Sequence, residues 1–79
     1  MVIRAGDYIK AEFEDPESGE RERMWVSVEW CDEDARIALG RLDGVPVLRH
    51  GGKLKLGSQL AVSYENILER RTAAEFEAQ

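Results

Sequence analysis

The chain has 79 residues and a formal net charge of −5, with 43% hydrophobic and 34% charged residues. This length predicts one domain over residues 1–79, with an ordered core at about 7–72 and a frayed tail at 73–79. The single cysteine, Cys31, excludes an internal disulfide and a multi-cysteine metal cluster. Because the sequence shows neither a signal-peptide core nor an apolar run near ~18 residues, we expect a cytoplasmic protein without membrane contact.

The charge is unevenly distributed along the chain. Residues 7–34 carry eleven acids and three bases, whereas residues 35–58 carry five bases and one acid. An acidic protein lacks the clustered Lys and Arg that neutralise phosphates, so we expect no direct nucleic-acid binding. The two segments either form neighbouring strands of one sheet, or meet across the two copies of a homodimer.

Alternating apolar and polar residues predict an antiparallel hairpin from residues 7–14 and 21–31, joined by a turn at 15–19. A four-residue loop at 16–19 sets a register in which Ala11 faces Met24. The face directed inward is predicted to carry Ile9, Ala11, Phe13, Met24, Val26, Val28 and Trp30. The outward pairs are Glu14 with Arg21, Glu12 with Arg23, and Lys10 with Trp25.

A polar turn at 32–35 leads into a predicted third strand at 36–42. Its apolar residues Ile37 and Leu39 are expected to lie across from Trp30 and Val28. Gly40, inside this strand, indicates a bulge or a close approach by another backbone.

The second half of the chain is interrupted by Pro and Gly. Pro46 restricts the next two residues to an edge or an irregular extended segment. Alternation then resumes at 53–56 and 60–64, which predicts two more strands, and the period changes to helical spacing afterwards. We therefore predict a helix at about 65–72. The expected fold is mostly β, or α+β at most: a five-stranded antiparallel sheet, curled like a small SH3-like barrel, with a short C-terminal helix.

No residue set in the sequence matches a known catalytic, cofactor or metal site. His50 is the only histidine, and the Gly-Gly pair after it lacks the nucleophile motif of esterases and the Gly-Lys-Ser or Gly-Lys-Thr motif of phosphate-binding loops. A pairing of Cys31 with His50 requires an orientation that the sequence does not specify. The acidic turn at 32–34 lacks the glycine and glutamate of a calcium loop. We expect no cofactor and no enzymatic activity.

Trp25 is the most informative candidate for a binding role. Alternation places it on the charged, outward face of the hairpin, beside Tyr8, Lys10 and Arg23. Exposed aromatic residues on a rigid hairpin are typical of protein-binding surfaces, so these four residues form the predicted protein-binding site. The alternative is that the C-terminal helix or residues 47–48 cover them as a second small core.

Four short motifs resemble a known family. They are E-R-E-R-M-W-V at 20–26, G-R-L-D-G-V-P-V at 40–47, L-K-L-G-S-Q-L at 54–60 and Y-E-N-I at 64–67. In this pattern the chain resembles the domain of unknown function 2314 family, which comprises small bacterial proteins or modules. The resemblance supports a β fold and implies no activity, cofactor or site residue.

These observations leave three classes of function. The first is a non-enzymatic protein-binding or regulatory module that uses the outward face of the hairpin. The second is a small acidic, phage-type inhibitor that mimics nucleic acid with its acidic half and acts on a basic partner protein. The third, an enzyme, has the least support because the residue sets of catalysis are missing.

Overall fold

The structure, a computed structural model, describes residues 2–78. Its strands are β1 (Tyr8–Glu14), β2 (Arg21–Asp32), β3 (Ile37–Leu42), β4 (Gln59–Ser63) and β5 (Ile67–Arg71), and helix α1 (Ala73–Glu77) follows. All five strands form one antiparallel sheet in the order β4-β3-β2-β1-β5. The predicted fold class, a mostly β protein with a short C-terminal helix, is confirmed. Within residues 2–78 the edge strands β4 and β5 do not pair, so the sheet is open and not closed into a barrel.

The first hairpin has the predicted register. Ala11 pairs with Met24, and the other predicted pairs are Ile9 with Val26, Lys10 with Trp25, Glu12 with Arg23, and Glu14 with Arg21. The turn closes where the backbone N–H of Asp15 donates to the Glu20 carbonyl, at 2.8 Å. Gly19 has a φ of 76°, which a residue without Cβ adopts at little cost.

One face of the sheet, the inner face, packs the core. The buried strand residues are Ile9, Ala11, Met24, Val26, Val28, Ala38, Leu42, Val62 and Ile67. Ile3 and Tyr64 complete this cluster from outside the strands, and Leu54 packs against it from the long connection between β3 and β4. The opposite side of the sheet is called the outer face below.

Trp30 lies on the outer face, so its predicted inward position is wrong. Val28 pairs with Gly40 but Trp30 pairs with Leu39, which leaves Glu29 as an extra residue in β2. An extra residue shifts the alternation, so every later side chain changes face. Trp30 is 55% exposed. The same shift pairs Ile37 with Asp32 rather than with Trp30 or Val28.

Two predicted elements of the second half are wrong. Residues 53–56 form no strand, and the connection before them contains only a 3₁₀ turn at His50–Gly52. The helix predicted at 65–72 is instead a 3₁₀ turn, Tyr64–Asn66, followed by β5. The reason is that β5 pairs with the free edge of β1 and buries Ile67, and these tertiary contacts outweigh the favourable helix propensity of Glu and Arg.

The only α-helix in the described part of the chain begins after Thr72. The Thr72 hydroxyl accepts from the Glu75 N–H at 3.2 Å, and the Glu75 carboxylate accepts from the Thr72 N–H at 3.0 Å. This reciprocal capping box places α1 inside the segment that we expected to fray. No helix between residues 2 and 78 has the length and apolar character needed to cross a bilayer.

Candidate functional site

The structure brings three of the four predicted site residues together on the outer face. The Lys10 ammonium lies 5.0 Å from the centre of the Trp25 ring, and these residues are direct cross-strand partners. Tyr8 lies two residues before Lys10 in β1, on the same face. Arg23 is on this face as well, but its guanidinium is directed to Glu12, with an N–O distance of 3.7 Å.

Helix α1 covers the aromatic part of this site. The Phe76 ring stacks on Tyr8, with ring centres 4.0 Å apart and planes 7° from parallel. The Phe76 ring also meets Trp25 in an edge-to-face arrangement, with ring centres 5.1 Å apart and planes at 76° to each other. Of the two alternatives for Trp25, the structure has the covered one, and the cover comes from the C-terminal helix. Trp25 and Tyr8 are therefore partly buried.

A second cation joins Trp25 from β5. The Arg71 guanidinium lies 5.3 Å from the centre of the Trp25 ring. The Glu69 carboxylate forms an ion pair with each of these two cations. The N–O distance is 2.6 Å to Arg71 and 3.5 Å to Lys10. The Arg71 hydrogen bond and the nearby positive charges keep the pKa of Glu69 below its usual value, against the opposing effect of partial burial. We call Tyr8, Lys10, Trp25, Arg71 and Phe76 the cation–aromatic cluster.

The outer face has a second apolar region that the sequence did not predict. Trp30 pairs across the sheet with Leu39, and Leu39 pairs with Ala61. We call these three residues the Trp30 patch. Trp30 and Leu39 are 55% and 37% exposed. A shallow groove of about 330 Å³ lies beside them, lined by Glu29, Leu39, Gly40, Gln59, Leu60 and Ala61.

The inner face contains a polar site near the tip of the first hairpin. Glu22 accepts hydrogen bonds from the backbone N–H groups of Val47 and Leu48, at 3.0 and 3.2 Å. Its carboxylate also lies 2.6 Å from Nε2 of the buried His50. Although partial burial opposes it, these hydrogen bonds hold the pKa of Glu22 below the usual glutamate value. Glu22 thus anchors the long connection between β3 and β4.

The structure also shows where Cys31 and His50, the pair considered for catalysis, lie in the fold. His50 is bound to Glu22 at the start of β2, whereas Cys31 lies near the end of the same strand. The structure therefore does not bring the two side chains together. The acidic turn after β2 is closed locally, since the Asp32 carboxylate accepts from the backbone N–H groups of Asp34 and Ala35.

No protein-family model matches this chain, and no curated protein or solved structure matches it significantly. The resemblance to the domain of unknown function 2314 family stays a prediction. The class that the structure defines is an open, five-stranded antiparallel sheet with two aromatic regions on its outer face.

Phe76→Ala is expected to expose Trp25. Removing the ring deletes one stacked and one edge-to-face contact, each worth about 0.5–1.5 kcal/mol beyond the buried area, so the sheet should remain folded. The measurement is iodide quenching and the emission maximum of Trp25 in a Trp30→Phe background, which leaves a single tryptophan. We expect a red shift and stronger quenching.

The matched control is Glu77→Ala, which changes an exposed residue of the same helix. It should leave the emission of Trp25 at the parent value. Equal spectra for the parent and Phe76→Ala would contradict the packing of α1 on this face.

Proposed function

We propose that this protein is a non-enzymatic protein-binding module, and that its binding surface is the outer face of the sheet. The observation that carries the proposal is the exposure of Trp30 beside Leu39 on two paired strands. Tryptophan anchors dominate the energetics of many protein interfaces because one side chain buries a large apolar area.

The two ends of this face have different roles in the proposal. At one end lies the cation–aromatic cluster, in which Phe76 already covers the rings of Tyr8 and Trp25. At the other end, the Trp30 patch is open and has a groove next to it. The Trp30 patch is therefore the main anchor, and Arg23 with the cation–aromatic cluster forms the rim.

The chemistry of this surface suggests the kind of partner. Trp30 and Leu39 favour an apolar side chain on the partner, which the groove has room to accept. Glu29, which lines the groove, is paired with a cation, since the Arg41 guanidinium lies 3.2 Å from its carboxylate. We therefore expect recognition by apolar contact and shape, with a weak dependence on salt.

The nucleic-acid mimic has less support from the geometry. Acids of the first hairpin lie beside cations of the same hairpin, with Arg21 3.3 Å from Glu12 and 3.7 Å from Glu14. Such pairing lowers the local negative field that a mimic needs. Strong salt dependence of partner binding would favour the mimic over the module.

The test is affinity capture from an extract of the native host, followed by quantitative mass spectrometry. The parent protein is compared with Trp30→Lys and with Val47→Lys, a control at a residue that is 89% exposed in the connection between β3 and β4. A partner of the Trp30 patch should be retained by the control and depleted at least about tenfold by Trp30→Lys. Identical captured sets for all three proteins would refute the proposal.

A further inference from the structure

The two edges of the sheet are protected to different degrees. The edge strand β5 carries Glu69, Arg70 and Arg71, and charged side chains discourage pairing with another strand. The edge strand β4 reads Gln-Leu-Ala-Val-Ser, with neither charge nor proline. An edge of this composition is a template for an additional strand.

The backbone groups at the β4 edge can be assigned from its pairing with β3. The Leu42 N–H donates to the Ser58 carbonyl, and the Tyr64 N–H donates to the Arg36 carbonyl, each at 2.9 Å. In an antiparallel pair, bonding to one neighbour alternates along the strand. Even-numbered residues of β4 therefore bond to β3, and Gln59, Ala61 and Ser63 direct their N–H and C=O groups away from it.

We propose that β4 pairs with β4 of a second copy of this chain, antiparallel and about a two-fold axis at Ala61. Ala61 then faces Ala61 of the second copy, and Gln59 faces its Ser63. Each of these pairs exchanges two backbone hydrogen bonds, so every outward group of β4 gains a partner. The result is one continuous sheet across the two copies, with an isologous interface.

The side chains of β4 fit this self-pairing. On the inner face, Leu60 meets Val62 of the second copy, which brings two apolar residues together. On the outer face, the small Ala61 allows close approach, and it joins the two Trp30 patches into one apolar row. No charged residue lies within the paired strands, so no like charges meet where the two copies of β4 pair.

The flanking charges favour the antiparallel orientation. The exposed Lys53 and Lys55 precede β4, and the exposed Glu65 follows it. In an antiparallel pair, the end of β4 that follows Lys53 and Lys55 lies next to the end that precedes Glu65 in the other copy. Opposite charges are therefore adjacent at both ends of the interface, whereas a parallel pair places like charges together.

The strength of this dimer is limited by its size. A strand of this length buries less surface than a standard protein interface, so we expect a dissociation constant between about 1 μM and 1 mM. The measurement is sedimentation equilibrium of the purified chain across that concentration range, with a monomer mass of 9.0 kDa as reference. The parent protein should show a reversible monomer–dimer equilibrium.

A charge swap at Ala61 tests the position of the axis. Ala61→Lys and Ala61→Glu each place a charge opposite its own copy, so each variant alone should dimerise about tenfold more weakly than the parent. An equimolar mixture places Lys opposite Glu and should recover dimerisation. Ala61 is exposed, so neither variant disturbs the core, and equal far-UV circular dichroism melts verify that both fold.

Leu68→Lys is the matched control, because it adds a charge to an exposed residue of the opposite edge strand. It should dimerise like the parent. The proposal is overturned if the parent remains a monomer up to about 1 mM. It is also overturned if the Ala61 variants dimerise like the parent, or if the mixture of the two is as weak as each alone.

Discussion

Gly40→Ala is expected to destabilise the protein by about 3 kcal/mol, which is a large part of the stability of a domain of this size. A Cβ at Gly40 overlaps the backbone carbonyl oxygen of Ser27 and also lies 3.1 Å from the Val26 side chain. The clash is with the backbone of the central strand, so no rotamer change relieves it. Relief requires β2 and β3 to separate where they pair.

The measurement is urea denaturation of the parent, Gly40→Ala and the control Gly44→Ala. A methyl group at Gly44 meets no atom within 4 Å, and Gly44 has no positive φ. We expect its free energy of unfolding to change by no more than about 0.5 kcal/mol. Equal effects of the two substitutions would contradict the close packing of β2 on β3. If Gly40→Ala yields no folded protein while Gly44→Ala does, the direction of the prediction holds.

Gly40 also illustrates what local sequence can and cannot predict. A glycine inside an alternating strand indicated a bulge or a close backbone approach, and both occur at this place. The sequence did not indicate that the extra residue belongs to β2. Its position at Glu29 decides that Trp30 faces outward, so the main exposed anchor of the outer face was missed.

The register of the first hairpin was predicted correctly because all of its determinants are local. Two alternating segments and a short turn with Pro and Gly permit few registers, and the apolar residues select among them. The C-terminal segment was mispredicted because its determinant is distant in sequence. Ile67 and its neighbours become a strand only because β1 offers a free edge about sixty residues earlier.

The start of α1 could have been predicted from the sequence. Thr72 and Glu75 have the spacing of a capping box, which marks a helix beginning at Ala73. With that boundary, Phe76 becomes the one aromatic residue of the helix, and the cover over Tyr8 and Trp25 follows. The pairing of Glu22 with His50 carried no such signal, because 28 residues separate them and the intervening connection is irregular.

Glu22→Gln is expected to lower the free energy of unfolding at pH 7 by about 1.5 kcal/mol. The carboxylate accepts from two backbone N–H groups and from His50, and hydrogen bonds to an ionised acceptor are stronger than those to an amide. The variant retains the shape of the side chain but replaces one accepting oxygen by an NH₂ donor, so the loss reports the charge together with one lost acceptor. Urea denaturation of the parent and the variant measures it.

The same substitution should change the pH dependence of stability. The pKa of Glu22 is lower in the folded protein than its ordinary value of 4.5. Its stabilising effect is therefore fully present above that pH and is lost as the pH falls through the folded value. The difference between parent and Glu22→Gln should shrink as the pH is lowered from 7 to 3. A difference that stays constant over this range would contradict the assignment.

Two comparisons separate Glu22 from other acids of the hairpin. Glu14→Gln removes an exposed carboxylate whose only described ion pair, with Arg21, spans 3.7 Å, and we expect little change at either pH. Asp15 also has a lowered pKa, chiefly because the Glu17 N–H donates to it, so the parent and both variants share its acid sensitivity. The pH-dependent difference that remains after this comparison belongs to Glu22.

A double-mutant cycle then tests whether Glu22 and His50 act as one unit. His50 has a φ of 48°, a left-handed conformation that asparagine adopts more readily than most residues, so His50→Asn keeps the backbone of the turn. If the 2.6 Å contact contributes directly, the two single variants together should lose more free energy of unfolding than the double variant does. We expect the sum of the losses from Glu22→Gln and His50→Asn to exceed the loss from the double variant by at least about 0.5 kcal/mol. Additive losses would mean that Glu22 anchors the connection through Val47 and Leu48 alone, and that His50 fills space without holding the carboxylate.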